Sequence, residues 1–226
     1  MQTSEPRFWA VIIIGPPGAG KDTQADLLSE ELGLVQIKSS KLIEAKLNQA
    51  DPSDQILLEE KRKWATGELN SREWVNSLLF EAIEEVRKEH AGVVFSGSPR
   101  DITEVKAQLP ILEGIYTREN IKIINIQVAD AVCIDRNIHR RICQANRHPI
   151  PNLPEYKNIK TCPKDDSPIV TRVMDTEETI KKRLDVYRAE TLPVIDYSRN
   201  QGYNIIEING EQSIEDVHRD ILNKLW

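Results

Sequence analysis

The chain has 226 residues, 39% of them hydrophobic, and its 30 basic and 36 acidic side chains give a formal net charge of −6. That length supports one good core with subdomains, and the acidic balance, with no run of five or more Lys/Arg, excludes a strongly basic field for nucleic acid. Apolar stretches such as Val11 to Ile14 fall far short of the roughly 20 residues that cross a bilayer, and the start MQTSEPRFWA shows no basic segment followed by an apolar run, so a soluble, cytoplasmic protein is expected.

In chain order, Phe8 to Ile14 reads as a buried strand and is followed by the glycine-rich stretch GPPGAGKDTQ, Gly15 to Gln24. A helix is predicted over Lys21 to Leu32 and a second strand over Leu34 to Ile37. The polar, helix-periodic segment Ser39 to Asn70 has no strand in it and reads as a helical insertion. A helix over Arg72 to Lys88, a strand over Val93 to Phe95 and a strand over Lys122 to Val128 follow. Next come a helix over Asp130 to Ala145 and the irregular run NRHPIPNLPEYKNIKTCPKDDSPI, which holds five prolines and reads as a lid-like excursion. A helix over Thr176 to Ile195, a strand over Tyr203 to Ile208 and a helix over Ile214 to Leu225 close the pattern. Asp130, Asp175 and Ser213 are candidate helix caps, Ser213 with Asp216 forming a capping-box pattern. Strands alternating with helices predict an α/β fold: a parallel sheet of about five strands, helices on both faces, and ligands at the carboxyl ends of the strands.

The glycine stretch has the chemistry of a phosphate cradle. Gly15, Gly18 and Gly20 let backbone N–H groups converge on phosphate oxygens, Lys21 adds a point charge, and the N-terminus of the next helix favours anions. The usual pattern places Ser or Thr directly after the lysine, whereas here Asp22 intervenes and Thr23 follows. On the first helical turn an acid suits the helix dipole if it points outward.

The order lysine, any residue, threonine, glutamine resembles the adenylate kinases, and the resemblance runs over roughly residues 8 to 222. Gly97-Ser98-Pro99-Arg100 is similar to that family's Asp-Gly-Phe-Pro-Arg. Val128-Ala129-Asp130 with Arg136 and Arg140-Arg141 resembles the strand end and helix that lead into its lid. Thr171-Arg172, Asp175 to Thr179 and Lys182-Arg183-Leu184 resemble the lid exit and the long helix behind it. The resemblance implies a P-loop kinase fold with a core over 1–38, 71–140 and 173–226, a helical acceptor-binding subdomain over about 39–70 and a lid over about 141–172. It implies transfer of the γ-phosphoryl group of ATP, with Mg2+, to a nucleoside monophosphate, AMP by the family's habit, in a monomer without nucleic-acid or membrane partners. ATP would meet Gly15, Pro16, Pro17, Gly18, Ala19, Gly20, Lys21, Asp22, Thr23 and Arg136. Lys21, Arg100, Arg140, Arg172 and Arg183 would surround the transferred group. Ser39, Glu44, Glu68, Asn70, Gly97, Arg100 and Glu104 would form the acceptor side. Arg136 and Arg140, four apart, share a helix face, and forked guanidinium groups suit phosphate oxygens.

The departures from the family pattern lie mainly on the acceptor and metal side. Ser96 replaces the carboxylate that helps order the magnesium shell, leaving Asp130 as either partial compensation or a simple helix cap. Glu44 stands where an acceptor-gripping arginine belongs, with Lys41 and Lys46 nearby. Glu104 replaces an adenine-reading glutamine; a carboxylate only accepts, so it suits a base edge with two donors such as guanine, or else it is a solvated helix residue. Two other functions compete with the kinase: a nucleotide-binding module impaired in transfer, and a P-loop kinase for a non-nucleotide acceptor. The three cysteines, an odd number, argue against a disulfide framework. Where relatives carry lid zinc, this chain has Cys143, Asn146, Cys162 and Asp165, with His148 as a substitute for the poor ligand Asn146. Cysteines that pack without metal are the expectation, and structural zinc the alternative.

Overall fold

Five consecutive apolar residues, Ala10–Ile14, form strand β1, and all five are buried. Successive strand side chains leave opposite faces, so an unbroken apolar run needs cover on both. Ala10, Ile12 and Ile14 enter one core with Leu79, Ile83 and Phe95, while Val11 and Ile13 enter another with Leu28, Ile124 and Val217. Each buried isoleucine contributes about 2 to 3 kcal/mol.

The structure, a computed structural model, describes residues 8–49, 51, 53–66, 70–89, 91–145, 148–150, 156–171 and 175–226. After β1 the strands are β2 (Val35–Ile37), β3 (Val93–Ser96), β4 (Ile121–Gln127), β5 (Arg141–Cys143), β6 (Pro149–Ile150), β7 (Ile169–Thr171) and β8 (Ile205–Asn209). A five-stranded parallel sheet runs in the order β2-β3-β1-β4-β8, with Ile12 opposite both Phe95 and Ile123. The chain leaves β1 with β3 on one side and β4 on the other, and the loop after β1 opens into the crevice between them, where ligands of such sheets bind. β6, β5 and β7 make a separate antiparallel sheet.

The helices are α1 (Lys21–Leu32), α2 (Ser39–Asn48), α3 (Gln55–Thr66), α4 (Arg72–Lys88), α5 (Ile102–Tyr116), α6 (Asp130–Ile138), α7 (Glu177–Val186), α8 (Leu192–Asn200) and α9 (Ile214–Leu225). α2 and α3 occupy the predicted helical insertion, where Ile43, Leu47 and Leu57 form a small core with Leu78 of α4. Among the described residues no helix is long and apolar enough to cross a membrane.

Three sequence expectations need correction. The helix expected to run to Ala145 stops at Ile138, because Arg141 to Cys143 pair instead with Ile169 to Thr171 and with Pro149 and Ile150, partners that helical periodicity cannot reveal. The irregular excursion is therefore partly sheet. The helix expected over Thr176 to Ile195 runs on to Asn200, but as α7 and α8 separated by a wide π turn, Tyr187–Thr191. Of the expected caps, only Ser213 serves, accepting the N–H of Asp216 at 3.1 Å. α6 is capped by Ala129 and α7 by Thr176, which leaves Asp130 and Asp175 free for other partners.

Candidate active site

The loop from Gly15 to Gly20 joins β1 to α1, and both Gly18 and Gly20 take φ of 85°. Gly18 has a second reason to be glycine: a Cβ there would collide with the amide nitrogen of Asn137 and lie 3.1 Å from the Cys133 carbonyl oxygen. Asn137, fully buried on α6, donates to that carbonyl at 2.7 Å and so forms a wall against the loop. Cys133 is also fully buried, and burial pushes its thiol up to about 11.

Lys21 begins α1 and turns back over the loop, giving hydrogen bonds to the carbonyls of Gly15 at 2.7 Å and Pro16 at 2.8 Å. Burial lowers its pKa to about 8; the Asp22 carboxylate opposes this, and the positive charges of Arg100 and Arg183 add to it. Positive charge from three separate segments is therefore felt at Lys21 beside the cradle. Asp22 is exposed on the first turn of α1, as a dipole-compatible acid should be.

Arg140 and Arg183 meet on Asp175, whose side chain is only 3% exposed. Arg140 donates through Nε at 2.9 Å and through Nη2 at 2.8 and 2.7 Å, while Arg183 Nη1 donates at 3.3 Å. The sequence offered Asp175 as a cap and as part of the stretch that resembles the lid exit, but did not reveal its two partners. Arg136, in the last turn of α6, donates to the Gly210 carbonyl at 2.8 Å, whereas Arg140 lies beyond the end of that helix, so the two do not share a helix face as expected. Arg172 lies outside the described residues.

On the opposite side of β1, the loop after β3 presents Gly97 and Arg100. Arg100 Nε donates to the Gly97 carbonyl at 2.7 Å and leaves the guanidinium exposed. Ser39 at the start of α2 brings its hydroxyl to within 4.0 Å of the position a Gly97 Cβ would take. Glu104 is 7% exposed, which overturns the reading of it as a solvated helix residue. Its Oε2 accepts the Arg100 N–H at 2.8 Å and the Ser98 hydroxyl at 3.1 Å, and Gln108 donates to the Ser98 oxygen at 2.7 Å. Burial raises the Glu104 pKa, and the two donors pull the other way.

Asn70 donates to the Glu60 carbonyl and carboxylate, both at 2.9 Å. Glu60 is held down to about 2: burial works against ionisation, but donors from Ser71, Lys63 and Asn70 outweigh it. Nothing in the sequence around Glu60 marked it as this anchor. Glu68 lies outside the described residues, and Glu44 is exposed on α2. The hydroxyl of Ser96, at the end of β3, is buried and unpartnered. Asp130 is neither cap nor orphan, since Arg188 donates to it at 2.7 Å.

In the small sheet, Cys143, His148, Cys162 and Asp165 place one ligand atom each within 4.8 Å of one another. The Cys162 sulfur lies 3.5 Å and an Asp165 oxygen 3.2 Å from His148 Nδ1, and the backbone N–H groups of His148 and Lys164 point at the two sulfurs. Asn146 lies outside the described residues.

A glycine cradle at the carboxyl end of a parallel sheet, a lysine bent over it and arginines arriving from both flanks define a P-loop kinase. A family model described as adenylate kinase matches residues 13–203, and the chain belongs to that family. Adenylate kinases of Clostridium botulinum (strain Loch Maree / Type A3) and Bacillus subtilis (strain 168) are each 32% identical over 218 residues, covering 95% of this chain and 97% of theirs. The adenylate kinase of Francisella tularensis subsp. novicida is 32% identical over 224 residues, covering 95% of this chain and 98% of its own. The protein is an ATP-dependent nucleoside monophosphate kinase.

Proposed function

We propose that the protein transfers the γ-phosphoryl group of MgATP to AMP. The observation that carries this reading is the loop after β1 with Lys21 folded over its carbonyls, close enough to Arg100 and Arg183 for their charges to act on it. A phosphoryl group in transfer spreads charge over its oxygens, and catalysis consists mainly of placing cations around them. In this reading Lys21 and the backbone N–H groups of Gly15 to Gly20 hold the ATP phosphates, and Arg136 lies near the base. Arg140, Arg172 and Arg183 bracket the transferred group as the small sheet closes as a lid. Arg100 clamps the acceptor phosphate, with Ser39, Asn70, Glu68, Gly97 and Glu104 around the acceptor in the subdomain of α2 and α3. Magnesium enters with ATP; the unpartnered Ser96 hydroxyl is suited to one of its waters, while Asp130 is already engaged by Arg188.

Coupled assays with MgATP and each of AMP, GMP, CMP and UMP test the assignment. Transfer to AMP at a kcat/KM at least tenfold above the others is expected. Preference for GMP would instead assign the second carboxylate oxygen of Glu104 to a base donor, and no transfer to any acceptor would sink the kinase reading.

The four side chains of the small sheet fit zinc: two thiols, one imidazole and one carboxylate, close enough for a tetrahedral set. Such an ion would serve as a cross-link joining β5, the segment before β6 and the turn from Cys162 to Asp165. About one equivalent of zinc per chain is expected in purified protein, and Cys143→Ser should lower both the zinc content and the melting temperature of the small sheet. Metal-free protein that melts unchanged after zinc is added would count against this assignment.

A further inference from the structure

Arg100 projects from a loop, not a strand or helix, so the direction of its guanidinium depends on how its backbone is fixed. One side is fixed by Glu104, whose carboxylate accepts the Arg100 N–H at 2.8 Å. The other side is fixed from much farther along the chain: the Thr191 hydroxyl donates to the Arg100 carbonyl at 2.7 Å.

Thr191 closes the π turn between α7 and α8. An extra residue in a helix rotates the later segment by about 100° relative to the earlier one. The contacts change side across this turn. Before it, Arg183 reaches Asp175, and from its start Arg188 reaches Asp130 on α6. At its end, Glu190 receives Arg72 Nη2 at 3.2 Å, and Thr191 holds Arg100. Arg72 also pairs through Nε at 2.8 Å with Asp101, whose other oxygen accepts the Glu104 N–H that opens α5. One helical rod thus carries an arginine of the ATP side and, one wide turn later, a brace for the acceptor side.

We propose that Thr191 is a positioning residue for Arg100, setting the acceptor clamp in register with Arg183 through the hydrogen bond to the Arg100 carbonyl. The assignment rests on the reading of Arg100 as the clamp of the acceptor phosphate. Thr191→Val keeps the shape and removes the donor, and Thr191→Ser keeps the donor. A hydrogen bond of this kind contributes about 1 kcal/mol net, which corresponds to a factor of roughly five to ten.

The test compares wild type, Thr191→Val and Thr191→Ser in steady-state kinetics, with calorimetric binding of AMP and ATP to each. The valine variant should show an acceptor KM and AMP dissociation constant raised about five- to tenfold, ATP values within twofold of wild type, and an unchanged far-ultraviolet spectrum. The serine variant should stay within twofold of wild type throughout. Equal effects on AMP and ATP, a silent valine variant, or a serine variant as impaired as valine would each overturn the assignment. Wild-type protein that neither binds nor phosphorylates AMP would instead remove the acceptor reading on which it rests, an outcome visible before any variant is compared.

Discussion

Lys21→Ala is expected to lower kcat by about a thousandfold or more while leaving the protein folded, measured by coupled assay and thermal unfolding on the same preparation. The catalytic half follows from position: the ammonium group is the cation nearest the cradle and the charge that would follow the phosphates into the transition state. The stability half follows from its pKa. Burial, with the positive charges of Arg100 and Arg183 adding to it, lowers Lys21 to about 8, so below pH 8 the folded protein carries a charge that an unfolded chain would hold more comfortably. Between pH 8 and the ordinary lysine value, the unfolded chain binds more protons, and stability gains as pH rises through that window. The alanine variant loses two hydrogen bonds to the loop carbonyls but also loses this penalty. Its melting temperature at pH 7 should therefore be no lower than that of wild type, and any advantage should shrink between pH 8 and pH 10. A variant that unfolds several degrees earlier at pH 7 would show that the lysine is a structural pin, not a charge held ready for ATP.

Asp175→Asn is the second large effect. The carboxylate is 3% exposed and takes guanidinium donors from both Arg140 and Arg183. An amide of the same shape accepts on one atom only and turns its NH2 group toward a cation. Breaking a buried pair from one side costs about 3 kcal/mol or more, because the remaining charges keep their desolvation without their partner. Turnover should fall as well, by about ten- to a hundredfold, since both arginines lose their fixed direction. Urea unfolding and kcat measured together provide the check. Stability within about 0.5 kcal/mol of wild type would show that water supplies what Asp175 is credited with here.

The cradle and most of the core were legible in the sequence because their signals are local. GPPGAGKDTQ lies within ten residues, and the run Ala10 to Ile14 announces a strand covered on both faces. α1, α4 and α9 begin and end where periodicity and turn residues place them. The resemblance supplied the arginines; in the structure Arg140 and Arg183 pair with Asp175, and the charges of Arg100 and Arg183 are felt at Lys21. Illegible features depend on partners far along the chain. β5 exists because Ile142 pairs with Val170, and Asp175 matters because Arg140 folds back onto it across 35 residues. Thr191 is an ordinary helical threonine until the fold brings Arg100, 91 residues earlier, to its hydroxyl. Glu104 was visible as a departure, but only burial against Ser98 and Gln108 shows that its charge is enclosed.

The third cysteine acquires a use from where it sits. Cys133 is fully buried behind the cradle, with burial pushing its thiol up to about 11, while the other two cysteines both belong to the cluster in the small sheet. A thiol-counting reagent is therefore expected to show two separable reaction phases in this protein: two equivalents when the small sheet opens, and the third only when the packing of α6 on α7 comes apart. Reagent stoichiometry over time becomes a ruler that distinguishes local opening from global unfolding within a single sample.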